Sequence, residues 1–318
     1  MIRFEQVSKQ FPNGTFAVNS LDFEIKKGEF FVLIGPSGSG KTTTLKMINR
    51  LIELSKGWVW INGKKISDYD INELRWNIGY VLQQIALFPH MTIAENIAVV
   101  PELKNWDKEK IAARVDELLK MVGLDPKEYR NRKPSELSGG QQQRIGVIRA
   151  LAADPEMILM DEPFSALDPF SREKLQDDML EIQRKLKKTI VFVTHDMQEA
   201  LKLGDRICLM KDGEIVQVGT PHEFLTNPVN DFVREFVGSR KLWIHLNELI
   251  TPITGEQALL SDTKTIPLSI PVDEVLEHLA LFEQIIVEDN GKPIGIISRQ
   301  HALKIMSQYL REGGQSYE

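Results

Sequence analysis

A glycine-rich loop that ends in a lysine and two threonines is the first segment of this chain that could do chemistry. It fits the G-x-x-x-x-G-K-[ST] pattern and comprises Gly35, Pro36, Ser37, Gly38, Ser39, Gly40, Lys41, Thr42 and Thr43. Glycines let backbone amides approach phosphates closely, and the helical pattern that follows adds a helix N-terminus to the anion site. We expect Lys41 to contact the β- and γ-phosphates and the Thr42 hydroxyl to bind Mg²⁺. The loop therefore predicts a phosphate site with a magnesium ion.

Two adjacent carboxylates, Asp161 and Glu162, follow the apolar run 157–160. Two negative charges beside a phosphate site are electrostatically costly unless a cation is bound there. The pair therefore indicates a metal site next to the phosphate loop and disfavours the simpler interpretation as an Asp-Glu-Pro turn.

Three short apolar runs must position these residues. Residues 30–34 lead into the phosphate loop, 157–160 into the two carboxylates, and 189–193 into Thr194-His195-Asp196. Continuous apolar runs of this length are typical of strands buried on both faces of a parallel sheet. Ligands gather at the carboxyl ends of such strands. We therefore predict an α/β fold in which the three loops converge on one site.

Helical and hairpin patterns fill the sequence between these runs. Residues 107–121 and 171–188 place apolar side chains on one stripe at helical spacing, which predicts two helices packed on the core. Asn62-Gly63 and Asp212-Gly213, each flanked by strand-like residues, predict tight hairpins.

Composition excludes several classes of protein. The chain has 318 residues, of which 42% are hydrophobic and 26% charged, as in ordinary globular proteins. The formal net charge of −6 argues against general nucleic-acid binding. The single cysteine, Cys208, excludes an intrachain disulfide framework and favours a reducing cytosol. No run approaches the roughly 18 apolar residues that span a bilayer, and no signal peptide is recognisable, so we expect any membrane association to come through a partner.

Leu137-Ser138-Gly139-Gly140-Gln141 lies between the phosphate loop and the two carboxylates. That order of motifs resembles the nucleotide-binding subunit of ABC transporters over residues 1–238. The resemblance implies an ABC-type P-loop NTPase fold, with a mixed sheet core and a helical subdomain, that binds ATP and Mg²⁺. It also implies that this signature segment closes over ATP held by another protomer, so the chain is expected to work as a homodimer.

The family pattern assigns roles to individual residues of this sequence. Asp161 matches the Walker B carboxylate that holds Mg²⁺, and Glu162 the base that polarises the attacking water. His195 matches the histidine that contacts the γ-phosphate. Gln83 matches the glutamine that couples Mg²⁺ and water to the membrane partner, so it is expected to bind the metal and to act in catalysis, with Gln84 as the competing assignment. Glu162 and His195 argue against a regulatory binder that does not hydrolyse ATP.

Other matched residues concern the dimer and the base. Ser138 offers a hydroxyl, and Gly139 and Gly140 expose amides at an expected helix start, so with Gln141 they are predicted to bind the partner's γ-phosphate. Asp168, in the segment 165–168, matches the loop that crosses the dimer interface. Phe11 fits the aromatic residue that stacks on adenine, or else belongs to the core.

Further segments resemble one subgroup of importers. Residues 85–92 resemble the region of import ATPases that receives a helix from the permease, while 41–51, 98–104 and 195–200 resemble the subgroup for glycine betaine, carnitine or choline. The resemblance implies ATP hydrolysis at the cytoplasmic face of the membrane, on separate permease subunits served indirectly by a substrate-binding protein. An importer of another small solute, such as an amino acid, and a soluble ABC protein of translation or DNA repair are the alternatives.

Composition changes after Gly238, and residues 239–318 are predicted to be a linker followed by a small α+β domain. Residues 256–312 resemble a single CBS module, with a β-α-β-β-α pattern that begins at 266–270. Many adenosine-binding modules carry an aspartate three residues after a serine or threonine, whereas this sequence has Ser298 followed by His301. A structural dimerisation role and a sensing role both remain open for this module.

Overall fold

Three β-sheets organise the parts of the chain that the structure describes. The computed structural model describes residues 1–165, 167–238, 249–251, 264–268, 270, 272–289 and 292–305. The chain divides into two compact units, Met1–Val237 and Gly238–Glu318.

The first unit alternates strands and helices. Its strands are β1 (Ile2–Gln10), β2 (Phe16–Ile25), β3 (Phe30–Ile34), β4 (Lys56–Ile61), β5 (Lys64–Lys65), β6 (Ile78–Val81), β7 (Met157–Asp161), β8 (Thr189–Thr194), β9 (Arg206–Lys211) and β10 (Glu214–Gly219). Its helices are α1 (Lys41–Ile48), α2 (Ile71–Trp76), α3 (Ile93–Leu103), α4 (Lys108–Met121), α5 (Pro126–Tyr129), α6 (Gly139–Leu151), α7 (Pro169–Leu186), α8 (Met197–Leu203), α9 (Pro221–Thr226) and α10 (Asp231–Gly238). Four consecutive helices, α3 to α6, lie between β6 and β7 in the sequence and form the helical part of this unit.

Six strands form the central sheet in the order β10-β9-β3-β8-β7-β6. The strands from β9 to β6 run parallel, and β10 pairs antiparallel with β9. A second, antiparallel sheet has the order β2-β1-β4-β5. The three predicted strands are therefore direct neighbours, since β8 lies between β3 and β7.

Strand β3 shows why an unbroken apolar run is needed here. Phe30, Val32 and Ile34 pack into a core shared with the helices, while Phe31 and Leu33 pack on the opposite face into a core shared with β1, β2 and β4. Side chains alternate between the two faces of a strand. Because both faces of β3 are covered, every position must be apolar, and the run cannot show the alternation of a half-exposed strand.

The predicted helices and hairpins of this unit are present. The stripes of α4 and α7 are buried, as shown by Ile111, Val115, Leu118, Leu175, Met179 and Ile182. Both Asx-Gly pairs occupy the left-handed region at their two central residues, with φ of 51° and 79° at Asn62-Gly63 and 50° and 80° at Asp212-Gly213. That backbone matches the twist of the paired strands β4–β5 and β9–β10.

The second unit is described in part. It contains a sheet in the order β11-β12-β13, formed by β11 (Lys264–Pro267), β12 (Gln284–Asp289) and β13 (Lys292–Ser298), with α11 (Val272–Leu281) between β11 and β12. Residues 299–305 are helical, as expected for the final helix. Residues 290–291, between the last two strands of the predicted β-α-β-β-α pattern, and most of the linker lie outside the described residues.

The first strand of this unit begins and ends earlier than predicted. The expected strand 266–270 lies at Lys264–Pro267, because the chain turns after Pro267, where the Ile270 amide donates to the Pro267 carbonyl at 3.1 Å. Proline lacks an amide donor and is tolerated on an edge strand such as β11. Here it marks the end of the strand.

Two further features of the described residues are the character of the helices and the environment of the single cysteine. Within those residues, no helix combines the length and the apolar character needed to cross a membrane. Cys208 is buried in β9, and burial raises the pKa of its thiol to about 12. The thiol is therefore unreactive at neutral pH.

Candidate nucleotide-binding site

The loops after β3, β7 and β8 meet around one cavity, as the parallel strands predicted. Its volume is about 460 Å³. The register brings the strand ends together, since Ile34 pairs with Thr194 and Asp161 with Val193. The cavity is lined by Ala17, Ser37, Gly38, Ser39, Gly40, Lys41, Thr42, Thr43, Gln83, Glu162 and His195.

Two glycines of the phosphate loop are required both by their backbone conformation and by the lack of space for a side chain. Gly35 and Gly40 have φ of 153° and 94°, where side chains are strained. A Cβ at Gly35 would lie 2.1 Å from the Met210 carbonyl oxygen, and one at Gly40 would lie 2.4 Å from that of Ala17. The loop is thus pressed against β9 and the β1–β2 hairpin, with its open side towards the cavity.

Lys41, the first residue of α1, is buried in the loop that precedes it. Its Nζ donates to the carbonyl oxygens of Gly35 and Pro36 at 2.7 and 2.8 Å. Burial lowers the pKa of the Lys41 ammonium, whereas Glu162 and Asp161 act in the opposite direction. A cation held at this point neutralises phosphate oxygens that enter the loop.

Oxygen atoms suited to Mg²⁺ lie beside the loop. The Thr42 hydroxyl donates to Asp161 Oδ1 at 2.8 Å, and Lys46 Nζ lies 3.9 Å from Asp161 Oδ2. Among the described residues, no group of three or more His, Cys, Asp and Glu side chains could hold a metal. One hydroxyl and one carboxylate nevertheless fit Mg²⁺, because this ion is commonly held by one or two carboxylates together with substrate phosphates and water.

The three predicted catalytic residues, Glu162, His195 and Gln83, are in contact at the Glu162 carboxylate. His195 Nδ1 lies 3.1 Å from Glu162 Oε2, and Gln83 Nε2 donates to the same oxygen at 3.4 Å. The backbone of Glu162 has a φ of 45°, and its amide donates to the Val193 carbonyl of β8 at 3.0 Å. The carboxylate is therefore aimed into the cavity by an unusual turn that the neighbouring strand secures. This arrangement can orient a water molecule and accept its proton.

The signature segment begins a different helix. Ser138 caps α6: its hydroxyl accepts from the Gln141 amide at 3.3 Å, and its own amide donates to Gln141 Oε1 at 2.9 Å. A Cβ built on Gly139 would meet nothing within 4 Å, whereas one on Gly140 would approach Ser171 Oγ to 3.3 Å. The start of α6 is therefore open at Gly139 and lies beside the first turn of α7 at Gly140.

Asp168 and Phe11 also lie apart from the cavity lining. Asp168 caps α7 and accepts from the Ser171 amide at 3.0 Å, next to the signature segment. Phe11 stands in the turn between β1 and β2 with 39% of its surface exposed, while Ala17 of the same hairpin lines the cavity. Among the described residues, the structure thus groups the phosphate loop with Gln83, Glu162 and His195. It does not bring Phe11, Asp168 or the signature residues into that lining.

Sequence reasoning missed four residues at or next to the site. Lys46 faces Asp161 because it lies one helical turn after Thr42, a spacing that could have revealed it. Tyr80 donates to Asp161 Oδ2 at 3.5 Å from β6, the strand beside β7. Burial, followed by the charge of Asp161, raises the pKa of Tyr80. Nothing in the sequence indicated a role for Ala17. Glu199 is a buried carboxylate on α8, the helix that follows His195 in the chain.

These features define a phosphate-loop site for a nucleoside triphosphate with a carboxylate placed for hydrolysis. A family model described as ABC transporter matches residues 18–165. The chain is 53% identical over 304 residues, 96% of this chain and 77% of the other, to the glycine betaine/carnitine/choline transport ATP-binding protein OpuCA of Bacillus subtilis. It is 48% identical over 309 residues, 95% of this chain and 80% of the other, to the osmoprotectant import ATP-binding protein OsmV of Salmonella typhimurium.

Solved structures give the same result for the fold. The dimeric, post-hydrolysis ATP-binding cassette MJ0796 bound to ADP and Pi matches with 38% identity and a TM-score of 0.63, covering 70% of this chain and 99% of that one. This protein belongs to the family of ABC transporter ATP-binding proteins. The predicted family, the ABC-type fold and the ATPase activity with ATP and Mg²⁺ are therefore confirmed.

Proposed function

We propose that this chain is the ATP-hydrolysing subunit of an importer that takes up a quaternary ammonium osmoprotectant. The observation that carries the ATPase part is Glu162, which faces the phosphate-loop cavity with His195 and Gln83 at its carboxylate. The substrate class rests on relatives whose names include glycine betaine, carnitine or choline, at 52 to 59% identity, and on an osmoprotectant import relative at 48% identity. The substrate is glycine betaine, carnitine or choline.

Each residue of the cavity has a distinct task. Bound ATP supplies the phosphoanhydride bond that is cleaved, and Mg²⁺ neutralises the charge that develops on its phosphates. Lys41 binds the β- and γ-phosphates, and Thr42 and Asp161 hold the metal. Glu162 orients the attacking water and takes its proton, while His195 contacts the γ-phosphate. Gln83 lies in the loop that follows β6 and couples the state of this carboxylate to the conformation of that loop.

Two copies of the chain complete two sites. Ser138, Gly139, Gly140 and Gln141 are not part of the lining of the phosphate-loop cavity described above, so they are available to a partner's γ-phosphate. Helix N-termini with exposed amides bind anions. ATP therefore joins the two protomers, and hydrolysis removes the contact that holds them together. Asp168 and the first turn of α7 lie at this same face.

The import reaction requires partners in the membrane. The homodimer acts on two permease subunits at the cytoplasmic face of the membrane, and a substrate-binding protein delivers the solute to the permease. The exposed apolar residues Leu82 and Phe88 flank Gln83 along the chain and suit a surface that receives the permease.

Residues 239–318 form a separate regulatory or dimerisation module that resembles a single CBS unit. In the described part, Ser298 accepts a hydrogen bond from the His301 amide at 3.2 Å, so its hydroxyl caps the final helix. If the module senses ionic strength, deleting residues 240–318 removes the salt dependence of transport and leaves ATP binding intact. An unchanged salt response in the truncated protein would exclude that role.

Pull-down from mild-detergent membranes, followed by mass spectrometry, tests the importer. We expect the tagged chain to recover a polytopic permease and, with it, a quaternary-amine binding protein. Uptake of labelled glycine betaine should stop in Glu162→Gln and continue in Glu109→Gln, which changes an exposed glutamate on α4. Recovery of ribosomal or DNA-repair proteins without a permease would contradict the proposal, and competition by an amino acid alone would change the substrate.

A further inference from the structure

A buried carboxylate outside the nucleotide cavity holds the turn that carries His195. Glu199 lies on α8 with only 7% of its surface exposed. The Thr194 hydroxyl donates to Glu199 Oε2 at 2.5 Å and accepts from the Asp196 amide at 3.0 Å. One hydroxyl thus links the carboxylate to the residues on both sides of His195.

The same carboxylate also contacts the helix that begins at the interface loop. Gln176 Nε2 on α7 donates to Glu199 Oε1 at 3.5 Å. Arg172, one turn closer to the start of α7, donates to the Leu167 carbonyl at 3.2 Å. Glu199 therefore lies between the turn of His195 and the helix capped by Asp168.

A small cavity of about 50 Å³ connects these groups to the hydrolytic centre. Its lining includes Glu162 and His195 of the hydrolytic centre together with Arg172, Thr194 and Glu199. Burial raises the pKa of Glu199, and the Thr194 hydrogen bond, Arg172 and His195 oppose that rise. Burying a carboxylate costs stability compared with a neutral or apolar side chain. An ionised carboxylate can only accept hydrogen bonds, and Glu199 accepts one from each of the two donors that meet it, the Thr194 hydroxyl and the Gln176 amide.

We propose that Glu199 is a positioning residue for His195, which fixes the histidine turn to α7 so that the ring stays against Glu162. It does not touch the reacting atoms. It acts on the rate of hydrolysis by setting where His195 lies, and it makes that position depend on the helix that starts at the dimer interface. The proposal rests on the ATPase activity of the chain.

A double-mutant cycle in the full-length protein tests the coupling. Glu199→Ala should lower kcat by about tenfold or more, since a small misplacement of a catalytic group costs this much, and should leave the KM for ATP unchanged. The effect should disappear in a His195→Ala background, because two residues that act as one unit are not additive. An equal loss in both backgrounds would overturn the proposal, as would full activity of His195→Ala. Wild-type protein without ATPase activity would instead refute the proposed function.

Histidine-selective NMR gives a second test that does not depend on turnover. The His195 signal is identified by its loss in His195→Ala. Thr194→Val, which removes only the linking hydroxyl and keeps the shape of the side chain, should shift this signal and leave the other histidines in place. The variant also serves if Glu199→Ala does not fold. An unmoved His195 signal in Thr194→Val would overturn the proposal, and Glu109→Gln is the control that should change neither signal nor kcat.

Discussion

The phosphate-loop cavity and the signature segment are both proposed to bind phosphate, yet they differ in how complete they are. In the cavity, a buried lysine, a hydroxyl and two carboxylates converge within one chain, and Lys41 and Thr42 are held by hydrogen bonds of 2.7 to 2.8 Å. At the start of α6, Ser138 is held by its own capping box, and Gly139 faces open space. In the proposed mechanism, the first region binds ATP and Mg²⁺ within one chain, whereas the second binds ATP that another chain already holds.

This difference teaches how one chain can use hydrolysis to control association. The groups proposed to bind and cleave ATP are positioned by the central sheet and lie close together. The groups proposed to bind the partner's nucleotide lie at the start of α6, in the helical part of the unit. Substitutions should therefore be able to change ATP binding and dimerisation independently of each other.

Lys41→Ala should have the largest effect, because it removes the buried cation of the cavity. Loss of two charge-assisted contacts to phosphate, worth about 3 kcal/mol together, predicts that ATP affinity falls by about 100-fold. Isothermal titration with ATP measures the change, and Lys127→Ala on the exposed surface of α5 is the matched control. Unaltered affinity in Lys41→Ala would refute the phosphate-loop assignment.

Glu162→Gln should separate cleavage from association. The amide cannot take the proton of the attacking water, so hydrolysis should fall by about 100-fold or more. ATP still binds, and the dimer should accumulate in gel filtration with ATP and Mg²⁺ but not without them. Glu109→Gln should behave as the wild type. Full turnover of Glu162→Gln would show that another residue activates the water.

Ser138→Ala should affect the other region and spare the first. Loss of the cap predicts a decrease of about 1 kcal/mol in the free energy of unfolding. ATP affinity of the dilute monomer should stay the same, while hydrolysis should fall by about tenfold because a contact to the partner's phosphate is lost. Thermal unfolding, ATP titration and turnover are measured side by side. A matching loss of ATP affinity would contradict the division into two regions.

Glu199→Gln should have the smallest effect, on stability as a function of pH. Because burial raises the folded-state pKa of Glu199, the folded protein holds this proton more tightly than the unfolded chain, and the ionised carboxylate costs stability above both pKa values. Gln exchanges one of the two acceptor oxygens for an amide donor, which lowers stability by a similar amount at every pH, but it also removes the cost of the ionised carboxylate. The unfolding temperature of the variant relative to that of the wild type should therefore be highest at neutral pH and should fall as the pH decreases through the folded-state pKa towards that of the unfolded chain. A difference that does not change with pH would show that the folded and unfolded pKa values are alike.

The sequence predicted the cavity better than its surroundings. The phosphate loop, the two carboxylates and His195 each follow directly on an apolar strand, so their meeting depends only on parallel strands being neighbours. The local sequence pattern was sufficient to predict that these residues lie together. The family assignment depended on Leu137-Ser138-Gly139-Gly140-Gln141 in the right order, and the similarity to known proteins confirms the family.

Contacts that depend on register and packing could not be predicted. Tyr80 reaches Asp161 only because β6 pairs with β7 in the register that sets Val81 opposite Met160. Ala17 lines the cavity because the β1–β2 hairpin passes over Gly40, and Glu199 meets Thr194 and Gln176 because α8 packs on α7. Gln83 was predicted to bind the metal and to act in catalysis; in the structure its amide donates to Glu162. The metal role of Gln83 stays a prediction.

Cysteine cross-linking between two chains tests most directly that the signature of one chain completes the site of another. Cys208 is buried and unreactive, so single cysteines can be introduced as Ser37→Cys in the phosphate loop and Ser138→Cys in the signature, each combined with Glu162→Gln. Mixed in the presence of ATP and Mg²⁺, the two chains should form a disulfide-linked dimer under mild oxidation, and neither chain should do so alone. A mixture that forms no ATP-dependent disulfide-linked dimer would contradict the account. So would a chain carrying both cysteines that forms only an intrachain disulfide.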